Sequence, residues 1–202
     1  SVGEDMALTR VKSPAVQGVP AAALPAGAIL QTITSHDATA SSHTGVRGDA
    51  PVTLMSATIT PSSTSSKILI FGFASIGNLY SNYSGTLHWL GLKLKRGSTV
   101  IGETSDLSSL TTVHGGDASG AEPMHAVIPP ASSYPASRPT SIPFHFADSP
   151  NTTSATTYNI QGVIERYNHG PYTMLRNGGG YNYNNAELAS ATCQLTLMEI
   201  KG

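Results

Sequence analysis

The sequence predicts an all-β fold: an antiparallel two-sheet β-sandwich, jelly-roll-like, with an extended N-terminal arm. Three observations predict it. Short apolar runs recur with a period of two, clusters of Pro, Gly, Ser and Thr separate them, and no segment sustains a 3.6-residue apolar period. The 202 residues suffice to bury one large β core. A small closed barrel is the alternative arrangement of the same strands.

The chain divides into three parts. Residues 1–5 read as a short remnant ahead of a natural start at Met6. Residues 6–27 read as a Pro/Ala-rich attachment arm, because Pro14, Pro20 and Pro25 each fix φ and remove a ladder donor. Residues 28–202 read as a single β-sandwich domain with long loops at 107–141 and 168–190.

Within that domain "AILQTIT" (28–34) is the first strand and "PVTLMSATIT" (51–60) the second. "KILIFGFASIG" (67–77) is apolar on both faces, with Ile68, Ile70 and Ala74 on one side and Leu69, Phe71 and Phe73 on the other, which marks a core strand between packed layers. Between the second and third strands, Pro61 stops the chain, and the hydroxyls of residues 61–66 compete with regular structure. A hairpin loop between neighbouring antiparallel strands is predicted there.

Residues 86–105 predict a second hairpin, turning at Arg96, Gly97 and Ser98, with Leu90, Leu92 and Leu94 inward and Lys93 and Lys95 in solvent. Later strands are "IPFHFAD" (142–148), "TTYNIQGVIERY" (156–167) and "TCQLTLMEI" (192–200), with a short turn near 184–190.

Composition narrows the function. Only 11% of residues are charged and the formal net charge is −1, so the polar surface is built from Ser, Thr, Asn and Gly. No basic stripe exists for nucleic acid or anionic membrane, and no run approaches the roughly 18 apolar residues of a spanning helix. Neither partner is expected. The single Cys193 lies in an apolar alternation and reads as a buried small hydrophobe without an internal disulfide.

Seven histidines show no metal-motif spacing. His36, Asp37 and His43, in "SHDATASSH", come nearest to a ligand set, but proximity in one loop does not make a site; neither metal nor cofactor is expected. His88 and His145 fall inside strands and read as structural or interface residues. No G-x-S-x-G occurs and the acidic residues are scattered, so no catalytic residues are assigned and a non-enzymatic protein is expected. A glycan-active enzyme is the remaining catalytic alternative.

The loop "RNGGGYNYNNAE" (176–187) supplies the binding candidates. Tyr181 and Tyr183 offer flat amphipathic rings at low entropic cost, and Asn177, Asn182 and Asn184 offer paired donors and acceptors, a composition suited to receptor or glycan contact. The competing reading is a Gly-rich turn whose tyrosines pack on their own sheet or on a neighbouring subunit.

The strings "MALTRVKSPAV", "PAGAILQTIT", "SATITPSSTSSKILIFGFASIG" and "CQLTLMEIKG" together resemble a group of bacteriophage structural proteins, many from aquatic phages, of the tail-fibre or virion-associated type. The likeness covers both ends and the first half of the core; residues 100–190 match no such pattern. It implies a virion protein, a homotrimer as fibre proteins often are, joined to other virion proteins through the arm and presenting its loops to a host surface. Capsid decoration or a head fibre is the alternative placement.

Overall fold

The computed structural model describes residues 20, 23–45, 50–78, 88–101, 126–128, 140–166, 172–179 and 189–202. The strands are β1 (Ile29–Asp37), β2 (Ser41–Gly45), β3 (Val52–Ile59), β4 (Lys67–Asn78), β5 (His88–Arg96), β6 (Thr99–Val100), β7 (Ala126–Ile128), β8 (Thr140–Asp148), β9 (Thr156–Arg166), β10 (Tyr172–Arg176), β11 (Gly178–Gly179), β12 (Ala189–Ser190) and β13 (Cys193–Ile200).

One sheet runs β1-β13-β4-β10-β2 with β8 also on β4; the other runs β3-β9-β5-β6 with β7 also on β5. All pairings within them are antiparallel. Ile76 pairs with both Thr140 of β8 and Arg176 of β10, which places those strands on opposite edges of β4. β10 therefore follows β13 along one edge of β4, and β2 follows β1 along the next. Successive long strands β1, β3, β4, β5, β8, β9 and β13 alternate between the sheets, an order compatible with a jelly roll.

The alternation read from the sequence places the core. Ile68, Ile70, Ala74 and Ile76 of β4, with Leu195 and Leu197 of β13, face Leu54, Ala57 and Ile59 of β3, Leu92 and Leu94 of β5, and Tyr158 and Ile160 of β9. Each fully buried aliphatic side chain contributes about 1.5–3 kcal/mol. At Gly162 on β9 the sheets approach closely: a Cβ there would lie 2.7 Å from the Met174 side chain. The outer residues of β4, Leu69, Phe71 and Phe73, are only half-buried.

Several expectations need correction. Residues 61–66 do not form a hairpin loop: β3 and β4 belong to different sheets, and the connector crosses between them. Turn chemistry stops a strand without saying where the next one pairs. The Arg96–Thr99 hairpin is present, but Lys93 is buried at 3% exposure and Lys95 is half-buried, so that face is not simply solvated.

The expected loop 107–141 contains β7, whose three residues pair with Leu90–Leu92, and β8 begins at Thr140. The expected loop 168–190 contains β10, β11 and β12. These strands are too short, and too close to Pro and Gly, to show a period.

The end of the arm turns rather than extends. Ala23 N–H donates to Pro20 O at 2.8 Å and Ala28 N–H to Pro25 O at 3.1 Å. Gly27, at φ +84°, takes a left-handed conformation that a side chain would strain, and its N–H donates to Lys201 O. Lys201 Nζ donates to Leu24 O, so this turn is tied to the C-terminal strand. Residues 1–19 lie outside the described residues.

Candidate functional site

β13 starts at Cys193, and β10 takes its place beside β4 from Ile76 onward, so the sheet has a break between them. Asn177 fills it. The residue is fully buried and, at φ +54°, adopts the left-handed conformation that Asn tolerates better than most residues. Its N–H donates to Ser75 O at 3.0 Å, and its carbonyl accepts from Ala191 N at 3.1 Å.

The Asn177 side chain is fully spent as well. Nδ2 donates to Asp37 O at 2.9 Å and to Thr39 O at 3.2 Å, where β1 gives way to β2, and Oδ1 accepts from Cys193 Sγ at 2.9 Å. Burial pushes the Cys193 thiol above its ordinary range, which keeps it protonated for this bond. Through its side chain and its N–H, this one residue joins β1, β13 and β4 at the fault.

Asn177 is therefore not the outward-facing contact residue that the sequence suggested. Its role is to root the chain that leaves β10. Gly178 pairs with Ser190 and Gly179 with Ala189, and the Ala191–Asn177 bond closes the base of this two-strand stem. Tyr181, Asn182, Tyr183 and Asn184 fall between the stem strands in sequence and lie outside the described residues. The Asn-Gly dipeptide at 177–178 was the available signal for a left-handed residue.

His36, Asp37 and His43 do not converge. His36 and Asp37 are strand neighbours, which project to opposite faces, and His43 lies on β2 opposite Met174. Both Asp37 oxygens are engaged: Oδ1 accepts from Thr39 N at 2.7 Å and Oδ2 pairs with Arg176 Nη1 at 3.0 Å. The Thr39 backbone bond, with help from Arg176, holds this carboxyl below its usual range. Arg176 Nη1 also donates to Leu54 O at 3.0 Å, at the register shift in β3, and so links the two sheets. Among the described residues no group of three or more His, Cys, Asp or Glu could hold a metal ion.

Two buried carboxylates close the opposite end of the sandwich, and the sequence did not single out either for this role. Glu199 is fully buried; Oε1 accepts from Ser62 N at 2.7 Å, Ser62 Oγ at 2.7 Å and Ser66 Oγ at 2.6 Å, and Oε2 from Gln31 Nε2 at 2.6 Å. Burial would raise its pKa, but the bonds from Ser66, Gln31 and Ser62 together outweigh burial and hold it below the usual carboxylate range. The hydroxyl-rich connector is thus the ligand shell of a carboxylate 133 and 137 residues away.

Asp148 is met differently. Arg96 Nη1 donates to its two oxygens at 2.8 and 2.9 Å, and Tyr158 Oη donates at 2.6 Å. Burial, reinforced by the bond to Asp148, pushes the Tyr158 phenol well above its ordinary range.

The outer face of the β3–β9 pair carries hydroxyls and amides bonded to one another. Thr58 and Thr157 meet at 2.8 Å, Ser56 Oγ donates to Asn159 Oδ1 at 2.6 Å, and Gln161 Nε2 donates to Thr53 Oγ1 at 3.3 Å.

No protein-family model matches the chain, and no curated protein matches it. Solved structures that it resembles include that of infectious bursal disease virus Gt strain, at TM-score 0.40 and 13% identity over 88% of this chain and 39% of that one. Infectious bursal virus derived T=1 particles match at TM-score 0.37 and 13% identity, over 85% and 36%. The infectious bursal disease virus VP2 subviral particle matches at 0.35 and 14%, over 85% and 37%. The chain spans about two fifths or less of the length of these chains.

Proposed function

We propose that this chain is a non-enzymatic structural protein of a virus particle: a bacteriophage tail-fibre or receptor-binding component that assembles as an oligomer and presents the 177–191 loop to the host surface. The observation that carries the reading is the root of that loop. A binding loop needs a rigid base to limit the entropy lost on contact. Asn177, locked into three strands and bonded to Ala191, supplies one.

The sequence resemblance supports the virion setting and implies a homotrimer. The low charge and self-satisfied hydroxyl face suit a particle component that meets solvent over a large area. Tyr181, Tyr183, Asn182 and Asn184 are the contact residues of this proposal, with the arm at 6–27 joining other virion proteins.

Replacing Tyr181 and Tyr183 by Ala tests it. Binding to host cells or their surface glycans should weaken by about 1–3 kcal/mol for each lost ring, with unfolding unchanged. Unchanged binding would reduce the loop to a packing element. Recovery of the chain on tail-less heads would instead place it as a capsid decoration or head fibre.

A further inference from the structure

We propose that the free edge of β1 pairs antiparallel with β1 of a second copy of this chain, about a two-fold axis at Ile33. The inference concerns a surface that the loop proposal does not use, and it stands independently of a virion role.

Among the described residues β1 is the longest sheet edge without a guard. Exposed edge strands are ordinarily blunted by Pro, charge, bulges or shortness. β8 carries Pro143; β3 has a register shift at Leu54 and lies between Pro51 and Pro61; β6 and β7 have two and three residues, and β2, also an edge and without charge, has five against nine in β1. From Ile29 to His36, β1 has no Pro, Lys, Arg, Asp or Glu, and its own register shift is confined to its start, between Ile29 and Gln31. Among the described residues the exposed large hydrophobics, Ile29 at 56% and Ile33 at 37%, both lie on this strand.

The direction of its backbone groups follows from the ladder. Ser75 donates its N–H to Cys193 Sγ and accepts at its carbonyl from Asn177, so its polar groups face the β13/β10 side. Alternation gives Phe73 and Phe71 the same direction. Thr196, opposite Phe71, then bonds toward β4, and Thr34, opposite Thr196, turns its N–H and C=O to the free edge. Thr32 does the same. Pro143 agrees: it lies opposite Phe73, where its nitrogen faces solvent and costs no ladder bond.

Antiparallel pairing about Ile33 sets Thr32 opposite Thr34 of the second copy, so these residues exchange both free-edge bonds. The two Ile33 form the close, non-hydrogen-bonded pair at the centre, and Gln31 meets Ser35 of the copy. Threonine opposite threonine is a pair this fold already uses, at Thr34–Thr196, Thr44–Thr173 and Thr58–Thr157. The buried row Ile70–Leu197 continues through Ile33 into the second copy. No like charges meet in this register, and a formal net charge of −1 imposes little repulsion between copies.

Cross-linking tests the register directly. Cβ atoms of a non-hydrogen-bonded pair approach to about 4.5–5.5 Å, near disulfide reach. Ile33→Cys in the full chain should oxidise to a disulfide-linked species of twice 20.9 kDa, while Thr58→Cys, on the exposed face of the other sheet, should not. Cys193 is buried and does not compete. Light scattering should find a dimer-containing species for the native chain and its loss for Ile33→Lys, which sets two ammonium groups opposite each other.

A native chain that is monomeric, or cross-linking of Ile33→Cys no greater than of Thr58→Cys, overturns the proposal. So does an oligomer lost on deleting residues 6–19 but indifferent to Ile33→Lys, which would assign the contact to the arm. A trimer that Ile33→Cys does not link overturns the edge pairing and leaves the virion reading intact.

Discussion

The two ends of β4 are held by opposite chemistry. Near its start, Glu199 and Asp148 flank Ile68 across the sheet, both buried, one among hydroxyl and amide donors and the other against Arg96 and Tyr158. Near Ser75 the join is made by a neutral amide, Asn177, with the Arg176–Asp37 pair at its partly exposed flank. A carboxylate can gather several donors from a connector that has few other backbone partners, but it depends on remaining ionised. An amide satisfies fewer groups, directionally, and is indifferent to pH.

Removing Glu199 should therefore be the most damaging change. Glu199→Ala leaves the buried Ser66 without its acceptor, removes an acceptor from Gln31 and from Ser62 and opens a cavity where the side chain was, and a loss of roughly 3–5 kcal/mol is expected in urea unfolding. If the loss were under about 1 kcal/mol, water would be replacing the carboxylate and the connector would not depend on it.

Asn177→Ala should cost roughly 2–3 kcal/mol, from the lost amide bonds and the left-handed backbone. Asn177→Gly removes only the bonds. Equal effects of the two would mean that the hydrogen bonds, and not φ, make Asn177 necessary.

Tyr158→Phe should cost about 1–1.5 kcal/mol by leaving one Asp148 oxygen short of a donor. Arg96→Ala should cost at most about 1 kcal/mol, because the Arg96 side chain is 30% exposed and its pairing is screened by solvent.

The pH response distinguishes the ends most finely. Glu199 titrates lower in the folded chain than its ordinary value of 4.5, so its contribution is full above 4.5 and is lost as pH falls through the lowered folded value. Tyr158 is raised from 10.0, so stability is full below 10.0 and falls as pH rises above it. Asp37 at the other end is also held low, so its pairing with Arg176 weakens in acid too, but the Asn177 bonds do not titrate. Acid unfolding followed site by site should thus release the 61–66 connector before the 177–191 stem. Simultaneous release would contradict the contrast between the two ends.

The strands were legible in the sequence because their inward residues alternate: Ile68, Ile70 and Ala74, or Leu195 and Leu197, could face only a core. The long-range polar joins were not. Ser62 and Ser66 carry ordinary turn chemistry, and their acceptor lies in the last strand; Glu199, within "LTLMEI", reads as one polar residue at a strand end. Asn177 reads as exposed because it opens a Gly- and Asn-rich stretch, although the same Asn-Gly signal fits a residue buried with positive φ. Charge alone places Lys93 in solvent, and alternation does not reveal what covers an outer face.

Hydrogen exchange at two amides tests the rooted loop most directly. Asn177 N–H, bonded to Ser75, and Ala191 N–H, bonded to Asn177, should exchange as slowly as Leu197 in the centre of β13, and Asn177→Ala should accelerate both. Rapid exchange of these amides in the native chain would mean that the 177–191 loop has no fixed base, and the proposed presentation role would fall with it.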